Sequence, residues 1–218
     1  MAFEKARKRM VETQIARRGV RDEKILAAIQ SIPREAFVAA QLEKSAYQDR
    51  PLPIGEGQTI SQPYIVAAMI HAAQLLPDDR VLDVGAGSGY AAAVMSKLAR
   101  RVFAVERLEA LTAAASARCR ALGYDNVALK TADGSLGWPE EAPFDAILVA
   151  AGVPEPPEAL KRQLKIGGRL IVPVGQADEQ RLIRIRRTGE DEFQEDDLGG
   201  VRFVPLIGAQ GWPDLGES

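Results

Sequence analysis

Cysteine and histidine are almost missing from this chain. Its 218 residues hold one of each, Cys119 and His71. A single cysteine excludes an internal disulfide and suits a reducing compartment. One Cys and one His cannot build an ordinary zinc site. A serine nucleophile needs a base beside it, yet the sole histidine lies in an apolar stretch, Ile65 to Leu76, that reads as a helix. No G-x-S-x-G elbow occurs either, so a hydrolase is disfavoured. No apolar run reaches the length of about 18 residues that a membrane span requires. The basic cluster Lys5 to Arg9 has no apolar core after it, so it is not read as a secretory signal; it reads as a solvated helix face. Net charge is -2, which gives no general attraction to nucleic acid or anionic lipid. Repeats and low-complexity segments are absent too. These absences leave a soluble cytoplasmic protein, expected to act as a monomer without nucleic-acid or membrane partners.

What remains is ordinary globular composition, 46% hydrophobic and 27% charged, suited to a single α/β domain or one domain with an extension. Residues 2–18 and 22–31 read as two amphipathic helices, split at Gly19, the second capped by Asp22 and stopped before Pro33. Residues 45–64 carry three prolines and two glycines that rule out a regular helix. A long loop rich in aliphatic and aromatic residues reads as a functional lid. A helix follows from about Tyr64 to Leu76. From Arg80 onward strand and helix alternate. Strands are expected at 81–84, 102–105, 127–129, 146–150 and 169–172, the last entered by a Gly167-Gly168 turn. Helices are expected to Ala99, over 110–122 and over 157–164. Such alternation predicts a doubly wound, mostly parallel sheet. Two further strands, 180–186 and 201–205, flank an acidic excursion over 189–197.

The densest signal is Val81-Leu82-Asp83-Val84-Gly85-Ala86-Gly87-Ser88-Gly89-Tyr90. A short strand ends in a glycine turn and an Ala-rich helix begins. Glycine lets a ligand lie against bare main chain, and in open parallel sheets ligands bind beyond the carboxyl ends of the strands. The spacing Gly85-x-Gly87-x-Gly89 is not the G-x-G-x-x-G of pyrophosphate-binding folds; it suits a ligand without phosphate. Glu106 ends the second strand, where a carboxylate can accept both ribose hydroxyls. Asp133-Gly134 follows the third strand at the same edge and can meet a base. Each alone has a plainer reading: a turn, a helix-start charge, an Asp-Gly turn. All three in order point to a nucleoside site. Trp138 and Trp212 read as packing residues.

This combination resembles class I S-adenosylmethionine-dependent methyltransferases. The segment Tyr47-x-Asp49-x-Pro51-Leu52-Pro53-Ile54-Gly55-x-Gly57-Gln58-Thr59-Ile60-Ser61-Gln62-Pro63-Tyr64 narrows the likeness to the protein-L-isoaspartate O-methyltransferases. So do Pro143-Phe144-Asp145-Ala146-Ile147, Leu164-Lys165-x-Gly167-Gly168-Arg169-Leu170 and Arg202-Phe203-Val204-Pro205-Leu206. Tyr64 stands where eukaryotic members often carry His. The resemblance implies a Rossmann-like methyltransferase fold with N-terminal helices (1–44), an active-site loop (45–63), a cofactor-binding core (64–175) and a C-terminal β extension (176–218), all one domain over 1–218. It implies methylation of the α-carboxylate of L-isoaspartyl residues in damaged proteins, with repair through a succinimide. By the same resemblance Ser61 is the active-site serine, and Gln58, Thr59 and Ile60 line the cofactor beside it. Gly85, Ser88, Glu106, Asp133 and Gly134 match the remaining cofactor contacts, with Gly87 and Gly89 completing the turn.

A carboxylate is ionised at neutral pH and needs no base to attack a methyl sulfonium. It needs in-line placement and loss of water, and a hydroxyl such as that of Ser61 can orient it. A competing reading makes Ser61 only the cap of the helix beginning near Pro63. Two other functions stay open on the residues alone: methylation of another protein, RNA or small-molecule acceptor, and a non-catalytic cofactor-binding module.

Overall fold

The computed structural model describes residues 2–176 and 178–214; Met1, Ala177 and the last four residues of the expected C-terminal extension lie outside the described residues. Helix α1 (Ala2–Met10) runs on through a π turn (Val11–Ile15) and a 3-10 turn (Ala16–Arg18) to Gly19, whose φ of 105° ends it. Helix α2 (Glu23–Ser31) starts on Asp22, whose carboxylate accepts the Lys24 and Ile25 N–H groups; this is the expected N-cap. The proline-rich stretch contains an ordered hairpin. Strands β1 (Leu52–Gly55) and β2 (Gln58–Ile60) pair antiparallel. Glu56 and Gly57 turn between them, both at positive φ, as a tight hairpin requires. Helix α3 (Pro63–Ala73) then begins with proline in its first turn.

The core alternates as expected: β3 (Arg80–Val84), α4 (Tyr90–Met95), β4 (Arg101–Glu106), α5 (Glu109–Ala121), β5 (Val127–Thr131), β6 (Phe144–Val149), α6 (Glu158–Arg162) and β7 (Leu164–Gly175). Strands β8 (Gln180–Arg187) and β9 (Phe193–Val201) follow. The seven-stranded sheet has the order β5-β4-β3-β6-β7-β8-β9. Strands β3 to β7 pair in parallel; β8 and β9 join antiparallel. Side chains alternate into two buried clusters, with Val81, Ala104 and Leu148 on one face and Leu82, Phe103 and Ile147 on the other. Both faces of the central strands are therefore covered, which is why these strands read as unbroken apolar runs. Strand order reverses between β3 and β6, so a crevice opens at their carboxyl ends.

Three expectations change. The last strand is not 201–205: β9 runs through the acidic stretch, and 202–204 is irregular. The reason is charge pairing across the hairpin. Arg181 meets Asp197 at 2.8 Å and Arg184 meets Asp196 at 2.9 Å, pairs that stabilise facing strands. Gly167 and Gly168 lie inside β7 rather than before it; a Cβ on Gly168 would come within 2.9 Å of the Lys165 carbonyl oxygen. And the basic run near the N-terminus is not wholly solvated. Lys5, Lys8 and Arg9 are exposed, but Arg7 is half-buried and pairs with Glu35 at 3.2 Å.

Candidate active site

The glycine turn is closed by main chain. The Gly85 and Ala86 N–H groups both donate to the Val105 carbonyl, at 2.9 and 3.1 Å. Glu106, at the end of β4, accepts the Gly87 N–H through one oxygen at 2.9 Å and the Leu108 N–H through the other at 3.0 Å. Each oxygen keeps a lone pair for another donor. Gly87 has φ 53°, and a Cβ there would stop 3.1 Å from Ile54 Cδ1 at the tip of the β1–β2 hairpin. Hairpin and turn thus face each other across a crevice. Gly85, Gly87, Glu106 and Gly134 line one side, Gln58 and Thr59 another, and Val204 to Ile207 a third. Below the turn Asp83 is buried, with one carboxylate oxygen unpartnered. Burial, then the nearby Glu106 charge, push its carboxyl up to about 7.

A wider groove of about 1070 Å³ adjoins the crevice and holds Ser61 in its wall. Thr59, Ala150, Val204 and Pro205 belong to both hollows. Ser61 is half-buried, and its hydroxyl makes no hydrogen bond among the described residues. The N-cap of α3 is Gln62, with no side-chain cap bond, so Ser61 is not the helix cap. His71 is exposed on α3 and lines a different hollow, away from Ser61. Among the described residues no cluster of His, Cys, Asp or Glu could hold a metal ion.

A family model described as protein-L-isoaspartate(D-aspartate) O-methyltransferase matches residues 5–211. The chain belongs to this family. It is 55% identical over 204 residues to protein-L-isoaspartate O-methyltransferase 2 of Pelobacter propionicus, covering 93% of this chain and 91% of the relative. It is 55% identical over 214 residues to the Brucella anthropi protein-L-isoaspartate O-methyltransferase, covering 98% of each. A solved protein-L-isoaspartate O-methyltransferase superposes with a TM-score of 0.86 at 32% identity, over 94% of this chain and 67% of that one. A Plasmodium falciparum structure assigned to the same activity, in complex with S-adenosyl-L-homocysteine, gives 0.80 at 28% identity, over 92% and 98%.

Within this isoaspartyl methyltransferase fold, not every residue singled out in the sequence faces the crevice. Gln58, Thr59, Gly85, Gly87, Glu106 and Gly134 do. Ile60 is buried opposite Leu52 in the hydrophobic core and holds the hairpin down. Ser88 is buried; its carbonyl accepts from Arg118 at 2.7 Å. Gly89 serves packing, since a Cβ there would meet Ala115 Cβ at 3.2 Å. Asp133 is turned toward the chain's own tail: it accepts the Ser135 N–H and hydroxyl at 2.9 and 2.7 Å, and the Ala209 N–H at 2.7 Å.

Several residues around the site carried no mark in the sequence. Arg34 is fully buried and donates to the carbonyls of Ala46 and Ser61, at 2.7 and 2.8 Å. The N-terminal helices clasp the lid from outside. Arg7 donates to the Tyr47 hydroxyl at 2.9 Å, Tyr47 donates to Glu35, and Gln14 donates to the Tyr47 carbonyl at 2.9 Å. Burial and Glu35 push the Tyr47 hydroxyl well above its ordinary pKa. Arg18 pairs with Asp49 at 2.8 Å while lying over the Tyr64 ring. Their partners are far away in sequence, so no local pattern announces them. The amphipathic stripe of the first helices was the one available signal.

Proposed function

We propose that crevice and groove are the two halves of one active site, the crevice for S-adenosylmethionine and the groove for the isoaspartyl segment of a damaged protein. The enzyme methylates the α-carboxylate of L-isoaspartyl residues, and the ester goes on to a succinimide whose hydrolysis returns some normal aspartate. One observation carries the assignment of halves: a glycine-floored crevice and a groove holding Ser61 share a wall of Thr59, Ala150, Val204 and Pro205.

The residues present suit an adenosyl ligand. At Gly87 the floor is bare main chain, and Glu106 keeps lone pairs for ribose hydroxyls after binding the turn. Gln58 and Thr59 form the upper wall, with Gly85 and Gly134 in the lining; at Gly134 a Cβ would come within 2.7 Å of Val84 Cγ1, so that glycine lets the turn pack on the sheet. When bound, S-adenosylmethionine supplies an electrophilic methyl group on a sulfonium. The crevice encloses about 70 Å³, well under the roughly 300 Å³ at which ligand pockets begin. Ile54 lies over Gly87, so a ligand resting on Gly87 displaces the hairpin tip and is then covered by it. Ile60, Ser88, Gly89 and Asp133 support this site by holding the hairpin, turn, helix and tail in place.

Ser61 orients the substrate carboxylate with its unengaged hydroxyl. A neutral donor leaves the oxygen more nucleophilic than a buried ion pair would. No base is needed, because the carboxylate is already ionised. The covering hairpin strips water from the reacting oxygen.

The same proposal takes the chain as one domain, monomeric and cytoplasmic, without nucleic-acid or membrane partners. The net charge of -2 offers no general attraction to nucleic acid or anionic lipid, and among the described residues no helix is long and apolar enough to cross a membrane. The test of the substrate is a pair of peptides differing only in an Asp or isoAsp linkage. Methyl label should enter the isoaspartyl peptide alone; equal labelling of both would overturn the reading.

A further inference from the structure

We propose that Arg34 is a positioning residue that staples the neck of the lid, residues 46–61, and so fixes Ser61 relative to the glycine turn. The proposal rests on the reading of Ser61 given above. Arg34 is 0% exposed. Its Nε donates to Ala46 at the start of the lid, and its Nη2 donates to Ser61 at the end. One guanidinium therefore closes the loop at both ends. Its Cζ lies 4.8 Å from the centroid of the Tyr90 ring. Tyr90 is the first residue of α4, directly after the glycine turn, so the same group ties the lid's neck to the opposite half of the site.

This arrangement is costly. Among the described residues no carboxylate lies within ion-pair distance of Arg34, and its Nη1 has no hydrogen-bond partner. Burial lowers the pKa of the guanidinium. A buried charge with no carboxylate in contact, only Asp49 acting from farther off, is costly for a core to hold, and an apolar side chain of similar volume often serves stability as well or better. What an apolar chain or a lysine cannot supply is the planar fork: two donors at fixed separation together with a flat face to stack on an aromatic ring. The site retains the charge for its geometry. With the neck held, only the hairpin tip bearing Ile54 needs to move.

The test uses the full chain with Arg34→Lys, which keeps the charge and loses the fork, and Arg34→Met, which loses both. Hydrogen exchange of residues 47–60 is read alongside kcat and KM for an isoaspartyl peptide. Both variants should speed exchange in the lid about tenfold or more, leave β3 to β6 protected, and lower kcat by at least about tenfold. If Arg34→Met does not fold, Arg34→Lys decides. Turnover in Arg34→Lys within twofold of wild type would overturn the proposal. So would unchanged lid exchange, or exchange raised throughout the sheet, which would make Arg34 a folding residue only. Ser61→Ala is run beside them. Undiminished turnover in Ser61→Ala removes the serine from the mechanism, while lid exchange in Arg34→Lys still decides the staple.

Discussion

In the glycine turn, Gly85 and Ala86 hang on the Val105 carbonyl and Gly87 on the Glu106 carboxylate, all within two adjacent strands. In the lid, Ala46 and Ser61 hang on the side chain of residue 34, and Tyr47 and Asp49 on those of Arg7 and Arg18. The first half is built by a carbonyl and a carboxylate of the neighbouring strand inside a buried sheet. The second is built by long side chains reaching in from helices and turns before the loop. Gly85, Ala86 and Gly87 all find their acceptors on the next strand, two on a carbonyl and one on a carboxylate, so this turn depends on no distant element. A lid held at its neck by side chains can keep its base fixed and still lift its tip. Local opening of this kind is typical of elements that admit ligands.

Substitutions can separate the two halves. Gly87→Val strikes both at once, since a β-branched residue is strained at φ 53° and its Cβ would press on Ile54. Affinity for S-adenosylhomocysteine, by calorimetry, should fall by more than about 100-fold, or roughly 2.7 kcal/mol. A loss below tenfold would mean that the ligand does not rest on Gly87. Glu106→Ala acts on the turn alone and removes the acceptor of the Gly87 and Leu108 N–H groups. A loss of about 1.5–3 kcal/mol in affinity is expected, as for hydrogen bonds to charged groups, with lid exchange unchanged. A change of a few tenths would count against a ribose contact. Gly89→Ala should do least to the ligand. Its Cβ would meet Ala115 at 3.2 Å and its φ is 84°, so the cost falls on folding: about 1–2 kcal/mol for a left-handed residue, or a Tm lower by roughly 2–8 °C. Affinity should stay within twofold. If it drops as for Gly87, the glycines act as one unit and the division drawn here is wrong.

Much of the site's first half was legible in the chain. The apolar run, the alternate glycines and Glu106 at the end of the next strand are local features, and the sheet brings together what their order implies. Asp133 shows the limit. Its place after a strand was right, but its carboxylate also holds Ser135 and Ala209 of the tail, a contact no nearby residue signals. The acidic stretch shows another. Residues 189–197 read as an acidic excursion between strands until Arg181 and Arg184 are placed against Asp197 and Asp196. The lid segment announced itself by its residues, but not by its hairpin or its anchors.

By itself the sequence determined the parallel core, the glycine turn and the family, because strand periodicity, turn chemistry and motif spacing are written in consecutive residues. Only the tertiary structure decided which of those residues face the crevice, and that one buried guanidinium joins both ends of the lid. Side-chain hydrogen bonds between distant residues depend on how the helices pack against the sheet, and packing leaves no periodic trace in the chain.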